Sequence, residues 1–315
     1  MARQIKRRKP KSTVSLKLAP AQLRMPGEVS QYWMAVTFVS WACILIAVAG
    51  WFSHHAWEWA YLAAWPLGSV LLVNYLSNRP RVQQLKQLGP SARVFGTNHQ
   101  DLSRHLKEVA DLLGMRKVPA MYLVEDEAPY IYSLAGGRGT VILTTALVNL
   151  LRYEELSVML ARELAHLKFG HIRLERALWW IRGAQPMVRL ALLPLLMWST
   201  IMGEWLDLIE YTADRAAVLV VGAAGIVTAT IVKVAAATDP QSGVTVQDLE
   251  DYLRQARTSD FDSVNMERQF KLNRFVESVP NLRDRIEQIG EFYASEEGQR
   301  LLEQVNQARA RITGA

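Results

Sequence analysis

Two consecutive runs of twenty uncharged residues, Trp33–Phe52 and Trp59–Asn78, constrain this chain more than any other feature. Each is long enough to cross about 30 Å of hydrocarbon as a helix. Pro66, inside the second run, is a tolerable kink in such a helix. Between them lies the short polar break Ser53-His54-His55-Ala56-Trp57-Glu58. Neighbouring histidines at a loop tip predict a solvated turn rather than a metal site. Trp and Tyr gather near the run ends, as in interfacial belts. Residues 1–24 hold eight Lys/Arg and no acid, and Arg79, Arg81 and Lys86 follow the second run. By the positive-inside rule, the N-terminus and the main domain are cytoplasmic and His54–His55 lies outside. The prediction is therefore a multi-pass protein of the inner or plasma membrane. It has a basic tail over 1–30, a helical hairpin of two transmembrane helices within 31–80, and one domain over 81–315. A signal peptide is not predicted, because a second apolar run stands where a small-residue cleavage site would follow the first.

The net charge of +6 is carried by the tail, which leaves the rest of the chain slightly acidic. A nucleic-acid-binding face is therefore not expected. Cys43 is the lone cysteine and lies in an apolar run, so neither a disulfide framework nor a thiolate zinc site is available.

Beyond the hairpin the pattern becomes that of a mostly helical α+β domain with a small sheet. Residues 98–113 have helical spacing and stop at Gly114. Strands are predicted at 120–124, 130–134 and 140–144. The last two form a hairpin around Gly136-Gly137-Arg138-Gly139. An amphipathic helix is predicted over 153–170, then apolar helical chain over 174–208. The longest uncharged run of that stretch, Leu190–Gly203, is fourteen residues, short for a span. The region near 174–206 is expected to be buried or membrane-associated, with a turn near Pro186. Helices follow at 206–221, 227–237 and 300–312, with Gly290 as a break in the polar C-terminal part.

The chemistry sits on the 153–170 helix, which carries Arg162-Glu163-Leu164-Ala165-His166 and then His171. This is one residue from H-E-x-x-H, where two histidines at i and i+4 bind zinc and the glutamate activates the bound water. A guanidinium has no free lone pair and cannot ligate zinc. The 206–221 helix carries Glu210-Tyr211-Thr212-Ala213-Asp214. Taken alone, R-E-L-A-H also reads as an ordinary helix with a charge pair and a satisfied histidine. The later E-x-x-x-D helix and the segment Pro280-Asn281-Leu282-Arg283-Asp284-Arg285 argue against that.

The order of hairpin, R-E-x-x-H helix and E-x-x-x-D helix resembles the HtpX-type and CAAX-prenyl-protease-type zinc metallopeptidases, over roughly residues 90–290. The resemblance implies a zincin-like fold and assigns Glu163 as general base. It makes His166 and Glu210 the second and third zinc ligands, with Asp214 orienting a ligand from behind. His171 matches a histidine common after the family motif and is expected off the ligand face. Three positions depart from the family. Arg162 replaces the first ligand. Val279 stands where the transition-state histidine before proline is expected. Tyr130-Ile131-Tyr132 replaces the Asn-Ala and aromatic of the substrate-holding edge strand.

The expectation is a degenerate, inactive member in which Arg162 takes the metal's place and pairs with Glu210, Glu163 or Asp214. No zinc is expected unless the altered site remains competent. The implied role is a pseudoprotease acting as a binding, scaffold or assembly subunit for membrane-protein partners, with an edge strand able to accept an extended peptide. The rival is an active zinc metalloendopeptidase of membrane protein quality control, using an altered metal site.

Overall fold

The computed structural model describes residues 20–52, 68, 99–135, 138–175, 178, 202–238 and 282–313. In chain order its elements are α1 (Pro20–Leu23), α2 (Glu28–Phe52), α3 (Gln100–Leu112), β1 (Ala120–Val124), β2 (Ile131–Leu134), β3 (Thr140–Thr144), α4 (Thr145–Leu150), α5 (Tyr153–Phe169), α6 (Gly203–Val221), α7 (Ala224–Thr238), α8 (Leu282–Ala294) and α9 (Glu296–Thr313). The domain is mostly helical with a three-stranded sheet.

The pairing of α5 with α6 is the most extensive between any two elements described. Both helices place small side chains in the core: Ala161 and Ala165 on α5, and Ala213, Ala216 and Ala217 on α6, all fully buried. Small residues at a helix contact let the axes approach closely. That proximity lets a long side chain on α5 reach carboxylates on α6. Leu156, Leu160 and Leu164 of α5 share one apolar core with α3, β3, α7, α8 and α9. At the start of α5 the Glu155 carboxylate accepts the Arg152 backbone N–H at 2.9 Å. Glu155 also accepts from Lys233 Nζ of α7 at 3.0 Å, with both side chains fully buried.

In the sheet β3 is central, parallel to β1 and antiparallel to β2. The bounds of β1 and β3 are those predicted. β2 begins one residue later than predicted, at Ile131, because the Tyr130 N–H goes to the Thr144 hydroxyl at 3.1 Å rather than to a ladder carbonyl. β2 is an edge among the described strands, and α5 packs against it.

The C-terminal break falls elsewhere than predicted. Gly290 lies inside α8, and the chain turns at Ser295. The Ser295 hydroxyl accepts the Gly298 N–H at 3.0 Å, opening α9. A side chain at Gly298 would meet the Phe292 carbonyl at 1.9 Å, so the turn needs glycine there.

The predicted transmembrane hairpin is not borne out as a pair of spans. Among the described residues no helix is long and apolar enough to cross a membrane. The second predicted span and the His54–His55 tip lie outside the described residues, Gly68 apart, as does most of the apolar region near 174–206. The first predicted span falls on α2, which leaves Trp33, Met34, Phe38, Trp41, Ile44, Leu45, Val48, Trp51 and Phe52 exposed. Residues 20–30, expected in the basic tail, instead pack on the domain: Leu23 is fully buried in the main core and Glu28 is buried beside α6.

Candidate functional site

Arg162 and His166 lie one turn apart on α5, and Glu210 and Asp214 one turn apart on α6. Side chains at i and i+4 share a helix face, so the two pairs confront each other where the helices touch. The Arg162 guanidinium donates to Glu210 through Nη2, and its Nε lies 2.8 Å from Asp214 Oδ1. The Nε–H does not point at that oxygen, so the second contact is one of charge rather than a directed hydrogen bond.

Arg285 of α8 meets Asp214 from the far side. Its Nε donates to Oδ2 at 2.9 Å and its Nη2 to Oδ1 at 2.8 Å. This is the bidentate fork that makes arginine–carboxylate pairs strong. Arg285 Nη2 also lies 4.0 Å from Glu210. Two guanidinium groups and two carboxylates thus form one electrically balanced cluster. In the sequence Arg285 is only the end of the segment Pro280–Arg285; in the fold it fixes the acid on α6.

Burial opposes ionisation of Glu210, but the charges of Arg162, then His166 and Arg285, outweigh it and hold its carboxyl down at about 2. Burial pushes His166 down to about 4, against the pull of Glu210. Its Nε2 sits 3.4 Å from Glu210 Oε1, and at neutral pH it is uncharged. Glu163 has a different environment. It makes no ion pair with Arg162; burial, which outweighs the effects of the nearby Ser133 side chain and Arg162 charge, raises its carboxyl to about 7.

α5 ends at Gly170, whose φ of +79° reverses the chain in the left-handed region glycine favours. The next residue, His171, is thereby brought back against the site: its Nδ1 is 3.3 Å from His166 Nδ1. Regular helical geometry would have kept it away. Its other nitrogen, Nε2, is 3.0 Å from Glu28 Oε1 on the first turn of α2. Glu28 also accepts from Thr212 Oγ1 at 2.6 Å and pairs with Arg24 at 3.3 Å. Burial works against the Glu28 carboxylate, but His171, Thr212 and Arg24 keep it below its usual range. Sequence reasoning missed Glu28, since nothing in the sequence ties a residue before an apolar run to a histidine 143 positions later.

A cleft of about 300 Å³ opens over the cluster, lined by Ile131, Tyr132, Arg162, Glu163, His166 and Glu210 among others. Ile131 and Tyr132 are the edge-strand residues predicted to face it. Tyr130 turns away and donates its hydroxyl to Asp126 at 2.9 Å. Val279 lies outside the described residues.

Catalytic zinc sites take three protein ligands and keep one position open. Here His166 and Glu210 are the ligand positions left, and Glu210 is held by a guanidinium. Among the described residues no group of three or more His, Cys, Asp or Glu could hold a metal ion. Among the described residues, the ligand positions that remain fall one short of a catalytic zinc set.

A helix with R-E-x-x-H packed on a helix with E-x-x-x-D, beside a small sheet whose edge borders the cleft, defines a metallopeptidase-type domain. Peptidase family M48 matches residues 97–292, more than half of the chain, and the chain belongs to that family. Among curated proteins, the plastoglobule-localized metallopeptidase 48 of the Arabidopsis thaliana chloroplast is 30% identical over 183 residues, 57% of this chain and 52% of its own length. A protease HtpX homolog of Helicobacter pylori strain J99 is 27% identical over 118 residues, 36% of this chain and 37% of its own. The chain thus spans about half the length of the first and little over a third of the second. No solved structure matches.

Proposed function

We propose that this chain is a pseudoprotease: a member of the M48 family that binds a partner at the old active-site cleft without cleaving it. The observation that carries the reading is the Arg162 guanidinium, paired with Glu210 and Asp214 where the family resemblance calls for a zinc ligand. Together with Arg285, it balances the two carboxylates in place of the metal. The cleft and its edge strand remain, and an extended segment can pair with an exposed strand edge without any chemistry.

The exposed apolar face of α2 and the twenty uncharged residues within it favour attachment to a membrane, with the basic tail toward anionic lipid. Membrane proteins are then the natural partners, and the role is that of a scaffold or assembly subunit. The topology predicted from sequence, with both flanks of a helical hairpin cytoplasmic, belongs to this proposal.

The test is zinc per chain, by elemental analysis of detergent-purified protein, beside an Arg162→His variant. The reading expects near-zero zinc in the native protein. Zinc near one per chain, or metal-dependent cleavage of an unfolded substrate, would return the chain to the active proteases.

A further inference from the structure

A second cavity, of about 390 Å³, lies on the other side of His171 from the cleft, at the foot of α2. Its volume is in the range of small-ligand sites. Arg24, Tyr32, Trp33, Phe169, Arg173 and Trp205 are among its lining residues. Arg24 is held in place: its Nη2 donates to the Phe169 carbonyl at 3.3 Å, its Nε lies 3.3 Å from Glu28, and its guanidinium sits 5.2 Å from the centre of the Phe169 ring. Arg173 is exposed and has no ion-pair partner among the described residues. Glu28 offsets Arg24, so among the described residues that line it the cavity keeps one uncompensated positive charge.

The apolar part begins at the cavity wall. Val29 and Trp33 line it and are exposed, and from there the exposed apolar face of α2 continues through Phe38, Trp41 and Leu45 to Phe52. A ligand that fits has an anionic head and a long apolar body. Arginine forks suit phosphate oxygens, and Tyr and Trp favour the depth of lipid headgroups. Basic pockets beside membrane helices bind anionic headgroups.

We propose that this cavity holds the phosphate-bearing headgroup of an anionic phospholipid whose acyl chains lie along the apolar face of α2. The proposal rests on the membrane attachment argued above. A bound headgroup would touch Arg24 and Trp205, and through Glu28 and His171 it would adjoin the pseudoactive site.

The experiment starts from membranes carrying the full-length protein, washed with alkaline carbonate. Protein that stays in the pellet is taken into neutral detergent micelles containing equal amounts of phosphatidylglycerol and phosphatidylcholine. Retained lipid is then read by native mass spectrometry. The expected result is selective retention of phosphatidylglycerol. Arg173→Glu should lower that selectivity about fivefold or more, the loss expected from one basic residue near anionic lipid. A tail variant with Arg7, Arg8 and Lys9 changed to Gln should keep it, and excess soluble glycerol phosphate should not displace the lipid. Equal retention of both lipids, selectivity untouched by Arg173→Glu, or loss in the tail variant alone would overturn the site. Displacement by glycerol phosphate would make it a soluble-phosphate site, which also overturns it. Protein released by the carbonate wash would overturn the membrane reading, and this inference with it. Protein retained but unselective sinks this inference alone.

Discussion

Arg162 Nε lies 2.8 Å from Asp214 Oδ1, so the residue in the first-ligand position of α5 and the acid on α6 are in direct ionic contact. With Glu210 and Arg285 they form a closed set of two positive and two negative charges. Removing one member strands another in a buried setting. Arg162→Ala should therefore cost about 3–5 kcal/mol of stability, read as a lowered urea midpoint with an unchanged slope. Arg162→Lys should recover only part of this, because an ammonium cannot bridge two carboxylates as a fork does. A midpoint unmoved by Arg162→Ala would remove the argument that the guanidinium replaces a metal.

Glu163 gives a pH signature of its own. Its folded carboxyl titrates at about 7, above its ordinary value near 4.5. The native state keeps that proton while the unfolded chain gives it up, so stability from this group is full below about pH 4.5 and is lost as pH rises through 7. Glu163→Gln keeps the shape of the side chain and stays neutral at every pH. It should stabilise the protein at pH 8 by about 1–2 kcal/mol, short of the full conversion because the group borders an open cleft and keeps some hydration. At pH 4.5 the gain should vanish. Thermal melts of both proteins at the two pH values check this; equal gains at both would place the proton elsewhere.

The parts of the molecule that were legible in the sequence are those with local causes. Strands 120–124 and 140–144 are short apolar runs set off by turn residues, and β3 is buried along its whole length. The 153–170 helix announced its face by spacing and its end by Gly170. The opposition of Arg162 to Glu210 and Asp214 was implied by the family resemblance of the two helices, which left Glu163 open as a third partner. What was not legible depends on tertiary approach. Glu28 reaches His171 across 143 residues. The side taken by β1, parallel to β3, leaves no mark in either strand. Lys233 did leave a signal: a single lysine inside the apolar 227–237 helix has to find a buried acid, although the sequence could not name Glu155.

That pair makes a third test. Glu155 caps the start of α5 and receives the ammonium of Lys233 from α7, both out of water. Lys233→Ala should cost about 3–5 kcal/mol, because it leaves a buried carboxylate with only a backbone N–H to balance it. Lys233→Met together with Glu155→Gln should recover most of the loss, since the apolar stem is kept and no charge is stranded. A double-mutant cycle by urea unfolding checks the coupling. A double variant as weak as Lys233→Ala would show that the loss came from packing instead.

His105 predicts acid sensitivity away from the site. It is buried on α3, stacked on the Tyr153 ring at 3.7 Å between centroids, with Nε2 2.6 Å from the Ser157 hydroxyl. Burial pushes its pKa down to about 4, and Glu108 only partly opposes this. The folded chain thus refuses a proton that the unfolded chain takes up near pH 6.5. Stability from a neutral His105 is full above that pH and is lost as pH falls toward 4. His105→Gln can keep a hydrogen bond to Ser157 without taking a proton. Between pH 7 and 4 the variant should lose about 2 kcal/mol less than the native protein. His166 is shifted the same way and should leave a residual acid slope in both proteins. Parallel stability–pH curves for native protein and His105→Gln would show that His105 takes no part in it.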